Sequence, residues 1–166
     1  MLLILFGLGF LGPKSPPAAQ RNLTHDRLAA LVQALYKSGY NGGALTVETL
    51  DRHRFVQVRK EISDSGVTLR SDFPDADWSH TYIPRVRAVL AAQHLRYREA
   101  TSSDGPTRGA MNGVLIIDQG LDVNTTTAYI EAVFRDVFGV DPATDAVGYL
   151  ENVSLLNRRI GFDSSR

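Results

Sequence analysis

The densest group of polar residues in the chain lies at residues 75–80, which read Asp-Ala-Asp-Trp-Ser-His. Carboxylates and imidazoles bind metals and transfer protons, so Asp75, Asp77 and His80 are candidates for either chemistry. Their spacing lacks the i, i+4 pair of a helical metal site and the order of a calcium loop. Ser79 and His80 are adjacent and do not predict a serine nucleophile. No metal site is therefore expected.

A further carboxylate, Asp118, follows a short apolar run at residues 114–117. Acids in this position are often catalytic, and Gly120 nearby would let a ligand approach closely. One hypothesis is therefore a small hydrolase or metal-dependent enzyme in which four side chains converge on one pocket. These four are Asp75, Asp77, His80 and Asp118. The alternative is that the acids stabilise turns and that Trp78 fills the seam between a sheet and a helix.

Composition limits the classes of protein that the chain can belong to. Its 166 residues are 43% hydrophobic and 22% charged, as expected for one globular domain. Lys plus Arg and Asp plus Glu number 18 each, so charge gives no reason to expect nucleic acid as a partner. Cysteine is absent, which excludes disulfides, thiolate metal sites and cysteine nucleophiles.

Residues 1–12 form an uncharged apolar run that is followed by prolines at 13, 16 and 17. Twelve helical residues span about 18 Å, which is too short for a bilayer core of about 30 Å. Its glycines match a dinucleotide-binding spacing, but the prolines interrupt the helix that such a site needs, so no cofactor is expected. We predict an apolar segment and linker at 1–22, as leader, anchor or core strand, and a single domain at 23–166. Any membrane contact would run through residues 1–12, and a cytoplasmic location is favoured.

Three strand-like runs follow a first helix that is predicted from Thr24, a candidate N-cap, to Gly39. The runs cover residues 44–50, 54–62 and 67–73, and the short turns between them predict an antiparallel meander. Their period-two alternation gives an inward set, namely Leu45, Val47, Val56, Val58, Val67 and Leu69. The outward set is Glu48, Gln57, Arg59 and Arg70.

The second half of the chain alternates helices with short strands. A second helix is predicted at residues 82–98, with Thr81 as its N-cap because Pro84 is acceptable only in a first turn. Residues 101–113 are rich in Ser, Gly and Pro and predict a loop before the strand at 114–117.

A third helix is predicted from its cap, Asn124, to Gly139. A loop at residues 141–148 and a last strand or short helix at 149–160 complete the chain. The predicted fold class is therefore α+β, with an antiparallel sheet of three to five strands packed against about three helices.

Four runs in this pattern resemble one family. They are RFVQV at residues 54–58, GVTLR at 66–70, YIP at 82–84 and AVLAA at 88–92. Together they resemble the YbjN-type domains related to type III secretion chaperones, over residues 24–98. The resemblance implies a helix, a small antiparallel sheet and further helices, and it implies binding of a partner protein or peptide rather than catalysis.

Our first hypothesis is a non-enzymatic protein-binding domain, chaperone-like or inhibitory, because no motif assembles a nucleophile, a base and a stabilising group. The partner would be another protein or a peptide, docked on an exposed strand edge or on aromatic side chains. The binding candidates are Trp78, Tyr82, Glu48, Gln57, Arg59 and Arg70. A third hypothesis is a membrane-tethered accessory subunit of a larger complex, held through residues 1–12.

Overall fold

The computed structural model describes residues 19–101 and 113–154 of the chain. Within these residues the α+β class is confirmed, with four α-helices and six strands. The order is α1 (His25–Ser38), β1 (Gly39–Thr49), β2 (Phe55–Ser63), β3 (Gly66–Asp75), α2 (Ile83–Ala92), β4 (Arg96–Thr101), β5 (Gly113–Gly120), α3 (Val123–Ala132), α4 (Pro142–Asp145) and β6 (Ala146–Val153). A 3-10 turn, His80–Tyr82, precedes α2, and a π-helical segment, Val133–Phe138, continues α3.

The six strands form one antiparallel sheet in the order β4-β5-β3-β2-β1-β6. The predicted meander is its central part, and β5 and β6 flank the meander on either side. The predicted apolar segment at 1–12, residues 102–112 of the predicted loop and residues 155–160 of the predicted last element lie outside the described residues. Among the described residues, no helix has the length and apolar character that crossing a membrane requires.

The second helix is shorter than predicted, and its last part is replaced by a strand. The backbone of His94 is left-handed, with φ of 55°, and the N–H of Leu95 donates to the carbonyl of Leu90 at 2.9 Å. This bond pattern closes a helix C-terminus and releases the chain into an extended conformation. The residues from Arg96 onward then pair with β5. The predicted helix end at residue 98 was therefore wrong.

Two predicted caps also differ from the structure. The cap of α3 is Asp122, whose carboxylate accepts hydrogen bonds from the backbone N–H of Asn124 and the hydroxyl of Thr125, both at 2.8 Å. Asn124 itself lies inside the first turn, so its N–H needs the cap that its side chain was expected to supply. The 3-10 turn moves the start of α2 past Thr81 to Ile83, which still leaves a proline in the first turn.

The core lies between one face of the sheet and the helices. Every residue of the predicted inward set is buried except Val67, which is half-buried near the β2–β3 turn. Apolar residues of α1, α2, α3 and the π-helical segment complete the same cluster. The predicted loop at 141–148 instead holds α4 and the start of β6, where Gly148 lets Leu31 and Leu23 pack against the strand.

One charged residue, Lys60, also points into the core. Its side chain is 7% exposed, and Nζ donates to the carbonyl oxygen of Tyr36 at 2.6 Å. Tyr36 lies in the last turn of α1, where free carbonyls attract a cation. Its ring centroid is also 5.9 Å from the Lys60 ammonium. The lysine thus ties the end of α1 to β2.

The turn between β1 and β2 is held by Asp51. Its carboxylate accepts hydrogen bonds from the Thr49 hydroxyl and from the His53 N–H, and Arg54 lies 3.1 Å away. Arg54 also donates to the carbonyl of Phe138 at 2.9 Å, which joins the turn to the π-helical segment. The hydroxyl of Thr49, more than any other group, lowers the pKa of Asp51 from 3.8 to about 2.

This carboxylate should make folding sensitive to acid. Because the pKa of Asp51 is lower in the folded chain, its contribution is complete above about pH 4 and is lost as the pH falls toward about 2. We expect the unfolding free energy of Asp51→Asn to fall less steeply across that interval than that of the wild type. Urea unfolding followed by circular dichroism at several pH values measures both slopes.

The matched control for this experiment is Asp64→Asn. Asp64 is an exposed acid of the next turn and makes no hydrogen bond among the described residues. Its variant should follow the wild-type slope. Equal slopes for Asp51→Asn and the wild type would contradict the role given to Asp51.

Candidate functional site

The sheet face opposite the helices carries polar side chains, and we call it the open face. Strand alternation places the predicted outward set here, because Glu48, Gln57, Arg59 and Arg70 alternate with buried residues. Asp72 follows on β3 at the next outward position. The helices α1, α2 and α3 all pack on the opposite side. These three helices therefore leave the open face uncovered.

A groove of about 480 Å³ lies on the open face and reaches the edge strand β4. We call it the arginine groove because three arginines line it together with two carboxylates. Its lining residues are Glu61, Ser65, Thr68, Arg70, Arg96, Tyr97, Arg98, Ile116 and Asp118. They come from β2 to β5 and the β2–β3 turn, so the sheet pairing itself builds the groove.

Arg70 on β3 is fixed by two carboxylates. Its Nε and Nη2 donate to the two oxygens of Asp72 at 2.9 and 3.2 Å, and its Nη1 donates to Glu61 at 2.8 Å. The hydrogen bonds with Asp72 raise the pKa of Arg70, against the effect of partial burial. A guanidinium held in this way is a rigid wall of the groove, and its charge is already balanced.

Asp118 is also occupied by neighbours. Its Oδ1 accepts hydrogen bonds from the Thr68 hydroxyl at 3.2 Å and from the Gly120 N–H at 3.0 Å. Its Oδ2 lies 3.3 Å from the guanidinium of Arg96, whose side chain is 88% exposed. Asp118 lies inside β5, whereas the sequence had predicted that it follows the strand. It therefore holds β3 and β5 together at this end of the sheet.

Arg98 differs from the other two arginines of the groove. It is exposed, and it has neither a hydrogen bond nor an ion pair within the described part of the chain. Arg96 and Arg98 are two residues apart on β4, so they project from the same face at a spacing of about 6.8 Å. The available positive charge of the groove therefore lies on the edge strand.

The two edge strands of the sheet, β6 and β4, differ in how far described residues cover them. Gln20 covers part of the β6 edge, where it exchanges backbone hydrogen bonds of 2.7 and 2.9 Å with Gly148. Beyond β4, no described residue pairs with the strand. A free edge presents unpaired N–H and C=O groups at alternate residues. The arginine groove thus adjoins a strand edge with which no described residue pairs.

Of the proposed catalytic residues, Asp75 and His80 lie together and Asp118 lies apart from them. His80 Nδ1 lies 2.7 Å from Asp75 Oδ1 at the end of β3. In the β3–β5 register, Asp75 is opposite Gly113 and Arg70 is opposite Asp118. Five residues of strand therefore separate the two acids, a distance of about 16 Å. His80 and Asp118 do not share a pocket.

The remaining polar residues of that segment support its turn. The buried hydroxyl of Ser79 accepts from the Ala76 N–H at 2.9 Å and donates to the carbonyl of Pro74. Asp77 is exposed, with no hydrogen bond or ion pair among the described residues. The described residues also contain no group of three His, Asp or Glu side chains that could hold a metal ion. The local geometry is that of a turn.

The aromatic binding candidates lie at the other end of the sheet from the arginine groove. Trp78 is 36% exposed, and its ring centroid lies 5.4 Å from that of Phe55 and 6.1 Å from that of Phe73. Tyr82 is half-buried against Phe138, with centroids 5.3 Å apart. These rings close the end of the core, and the Trp78–Phe55 pair leaves part of its surface exposed.

Two of the other outward candidates, Arg59 and Gln57, form a polar network beside the groove. Arg59 donates to Gln57 at 2.8 Å, and Gln57 donates to the hydroxyl of Thr46 at 3.0 Å. Glu48 lies near Tyr149, where burial, followed by the neighbouring carboxylate, raises the pKa of the tyrosine to about 12. Of the six predicted binding residues, Arg70 alone lines the groove.

The two arginines of β4 were missed by sequence reasoning because residues 96–98 were assigned to a helix. Arg96 and Arg98 alternate with Tyr97, and this period of two is typical of a strand. That spacing was the available signal.

Comparison with known proteins gives no match, whether to a family model, a curated protein or a solved structure. The resemblance to YbjN-type domains stays a prediction. The function of the chain must therefore be argued from the chemistry of its own surface, since a fold class is compatible with many functions.

The wall of the groove gives a stability prediction. Asp72 makes two of the three hydrogen bonds to Arg70, so Asp72→Asn should lower the free energy of unfolding by about 0.5–1 kcal/mol. Glu61→Gln should cost less, because Glu61 makes one bond and is more exposed. Urea unfolding of both variants at low and high salt measures the difference.

A suitable control is Glu99→Gln, which breaks an ion pair with Arg87 whose two side chains are about half exposed. Its cost should be close to zero. If Glu61→Gln costs as much as Asp72→Asn, Asp72 is not the main partner of Arg70.

Proposed function

We propose that this domain binds an extended segment of another protein, which joins the sheet as an additional strand beside β4. The observation that carries the proposal is the outer edge of β4, which no described residue covers and which lies next to the arginine groove. Strand addition supplies backbone hydrogen bonds, and an adjacent groove supplies contacts for alternate side chains. The domain would act as a non-enzymatic binding module, chaperone-like or inhibitory.

Pairing with β5 orders the edge strand before any partner arrives. Glu99 of β4 accepts from Nη2 and Nε of Arg87 on α2 at 2.7 and 3.1 Å. On its inner side β4 pairs with β5 from Arg96 to Thr101. A partner strand therefore does not have to order β4 on binding, which lowers the entropic cost.

The polar groups of the groove favour binding over catalysis. Glu61 and Asp118, its two carboxylates, each lie within 3.3 Å of an arginine of the groove. No candidate nucleophile among the described residues lies beside a free base there. The hypothesis of a membrane-tethered subunit depends on residues 1–12, which lie outside the described residues, and it stays a prediction.

Site-directed photocrosslinking tests the proposal. A benzoylphenylalanine residue placed at Tyr97, which is 41% exposed on β4, should crosslink a partner protein in cells that produce the chain. The same residue at Leu50, which is 48% exposed in the turn after β1, should not. Amide hydrogen exchange of the purified complex should then slow in β4, because its outward N–H groups become bonded.

Mass spectrometry identifies the crosslinked chain and the attached segment. Equal crosslinking from positions 97 and 50, or none from 97, would contradict a binding edge at β4. The modified proteins must first unfold at the wild-type urea concentration, so that a misfolded chain is not taken as a negative result.

A further inference from the structure

We infer that the segment bound at β4 carries two acidic residues on either side of one apolar residue, and that it belongs to a different chain rather than to a second copy of this one. The inference rests on the proposed function and adds the chemistry of the partner. Its basis is the pattern of charge along Arg96–Thr101.

Two free or weakly held cations define the open-face side of the edge. Arg98 has no partner among the described residues, and Arg96 makes one contact at 3.3 Å from a largely solvent-exposed position. Residues directly opposite each other on paired strands have Cβ atoms about 5 Å apart. The residues opposite Arg96 and Arg98 are two positions apart in the partner, as the arginines are in β4. Carboxylates at both positions would each face one of these two arginines across the strand pair.

On the helix-facing side of β4, a different type of partner residue fits. Tyr97 is 41% exposed and faces this side between the two arginines. Glu99, the next residue on the same side, is already paired with Arg87. An apolar side chain opposite Tyr97 can cover its ring without competing for a charge. The expected partner pattern is therefore acidic, apolar, acidic.

A second copy of the chain does not supply this pattern. Two β4 strands related by a twofold axis would pair antiparallel, with open faces on the same side. Centring the pair on Arg98 places two Arg98 side chains opposite each other. Centring it on Tyr97 places Arg96 opposite Arg98, and centring it on Glu99 places two glutamates opposite each other. Directly opposed like charges destabilise paired strands, so these three registers are disfavoured. In every register β4 offers a single acid, Glu99, so a second β4 cannot place carboxylates opposite both Arg96 and Arg98.

Three peptides test the charge pattern. Each is a capped eight-residue peptide with one central valine, flanked by two glutamates, two glutamines or two lysines, and labelled for fluorescence anisotropy. The glutamate peptide should bind about fivefold more tightly than the glutamine peptide, and the lysine peptide should bind most weakly. The glutamate preference should shrink as salt is added.

Variants locate the effect. Arg98→Gln and Arg96→Gln should each weaken binding of the glutamate peptide by about two- to threefold, and the double variant should bind the glutamate and glutamine peptides equally. Arg135→Gln is the matched control, because Arg135 is an exposed arginine of the π-helical segment, away from the open face, and should leave binding unchanged. Urea unfolding confirms that each variant is folded.

The outcomes separate the inference from the proposed function. If the glutamine peptide binds as tightly as the glutamate peptide, the acidic pattern is overturned while strand binding stands. If no peptide binds, the inference is overturned, and failure of crosslinking at position 97 would remove the proposed function as well. If an equal concentration of inorganic phosphate displaces the glutamate peptide, the arginines form a simple anion site, and the inferred strand pattern is overturned. The wild type is also examined by analytical ultracentrifugation. If it is a dimer that a proline substitution in β4 dissociates, the inference that the bound segment belongs to a different chain is overturned.

Discussion

The alternation of apolar and polar residues along the strands is the constraint on which the structure depends. It gives the sheet one apolar face, and burying each Leu, Val or Phe there contributes about 1.5–3 kcal/mol. The helices α1, α2 and α3 pack on that face against residues such as Leu45, Val58 and Phe73. The opposite face cannot gain stability in the same way, so it relies on cross-strand hydrogen bonds and ion pairs. Its polar character is thus a consequence of the one-sided core.

Packing helices on one face does not satisfy the backbone N–H and C=O groups along the two outer edges of the sheet. At β6 the chain returns through Gln20 and fills one position. At β4, where no described residue pairs with the outer edge, Arg96, Arg98 and Glu99 are a second solution, since charged side chains disfavour aggregation of an edge strand. In the proposed complex the same charges would also select the partner strand. Protection and recognition would then be two effects of one pattern.

The sequence predicted those parts of the fold that depend on local pattern. The period-two alternation predicts the strands of the meander and the outward position of Arg70. The short turns between the strands predict their antiparallel pairing. The end of α2 was missed because Ala91, Ala92 and Gln93 continue a helical composition, and the left-handed backbone of His94 leaves no mark in the sequence. The strand β4 was missed for the same reason, and its extended conformation depends on pairing with β5, which lies further along the chain.

The candidate site shows why residue type alone does not indicate availability. Arg70, Arg96 and Arg98 look alike in the sequence, yet the first has three hydrogen bonds to carboxylates, the second one, and the third none among the described residues. These differences arise from strand register, which brings acids from β2 and β5 beside particular arginines. A paired guanidinium is expensive to recruit because its carboxylate would be left uncompensated. Arg98 has no such partner among the described residues, so in the proposed complex it would face an incoming carboxylate without breaking an ion pair that the structure describes.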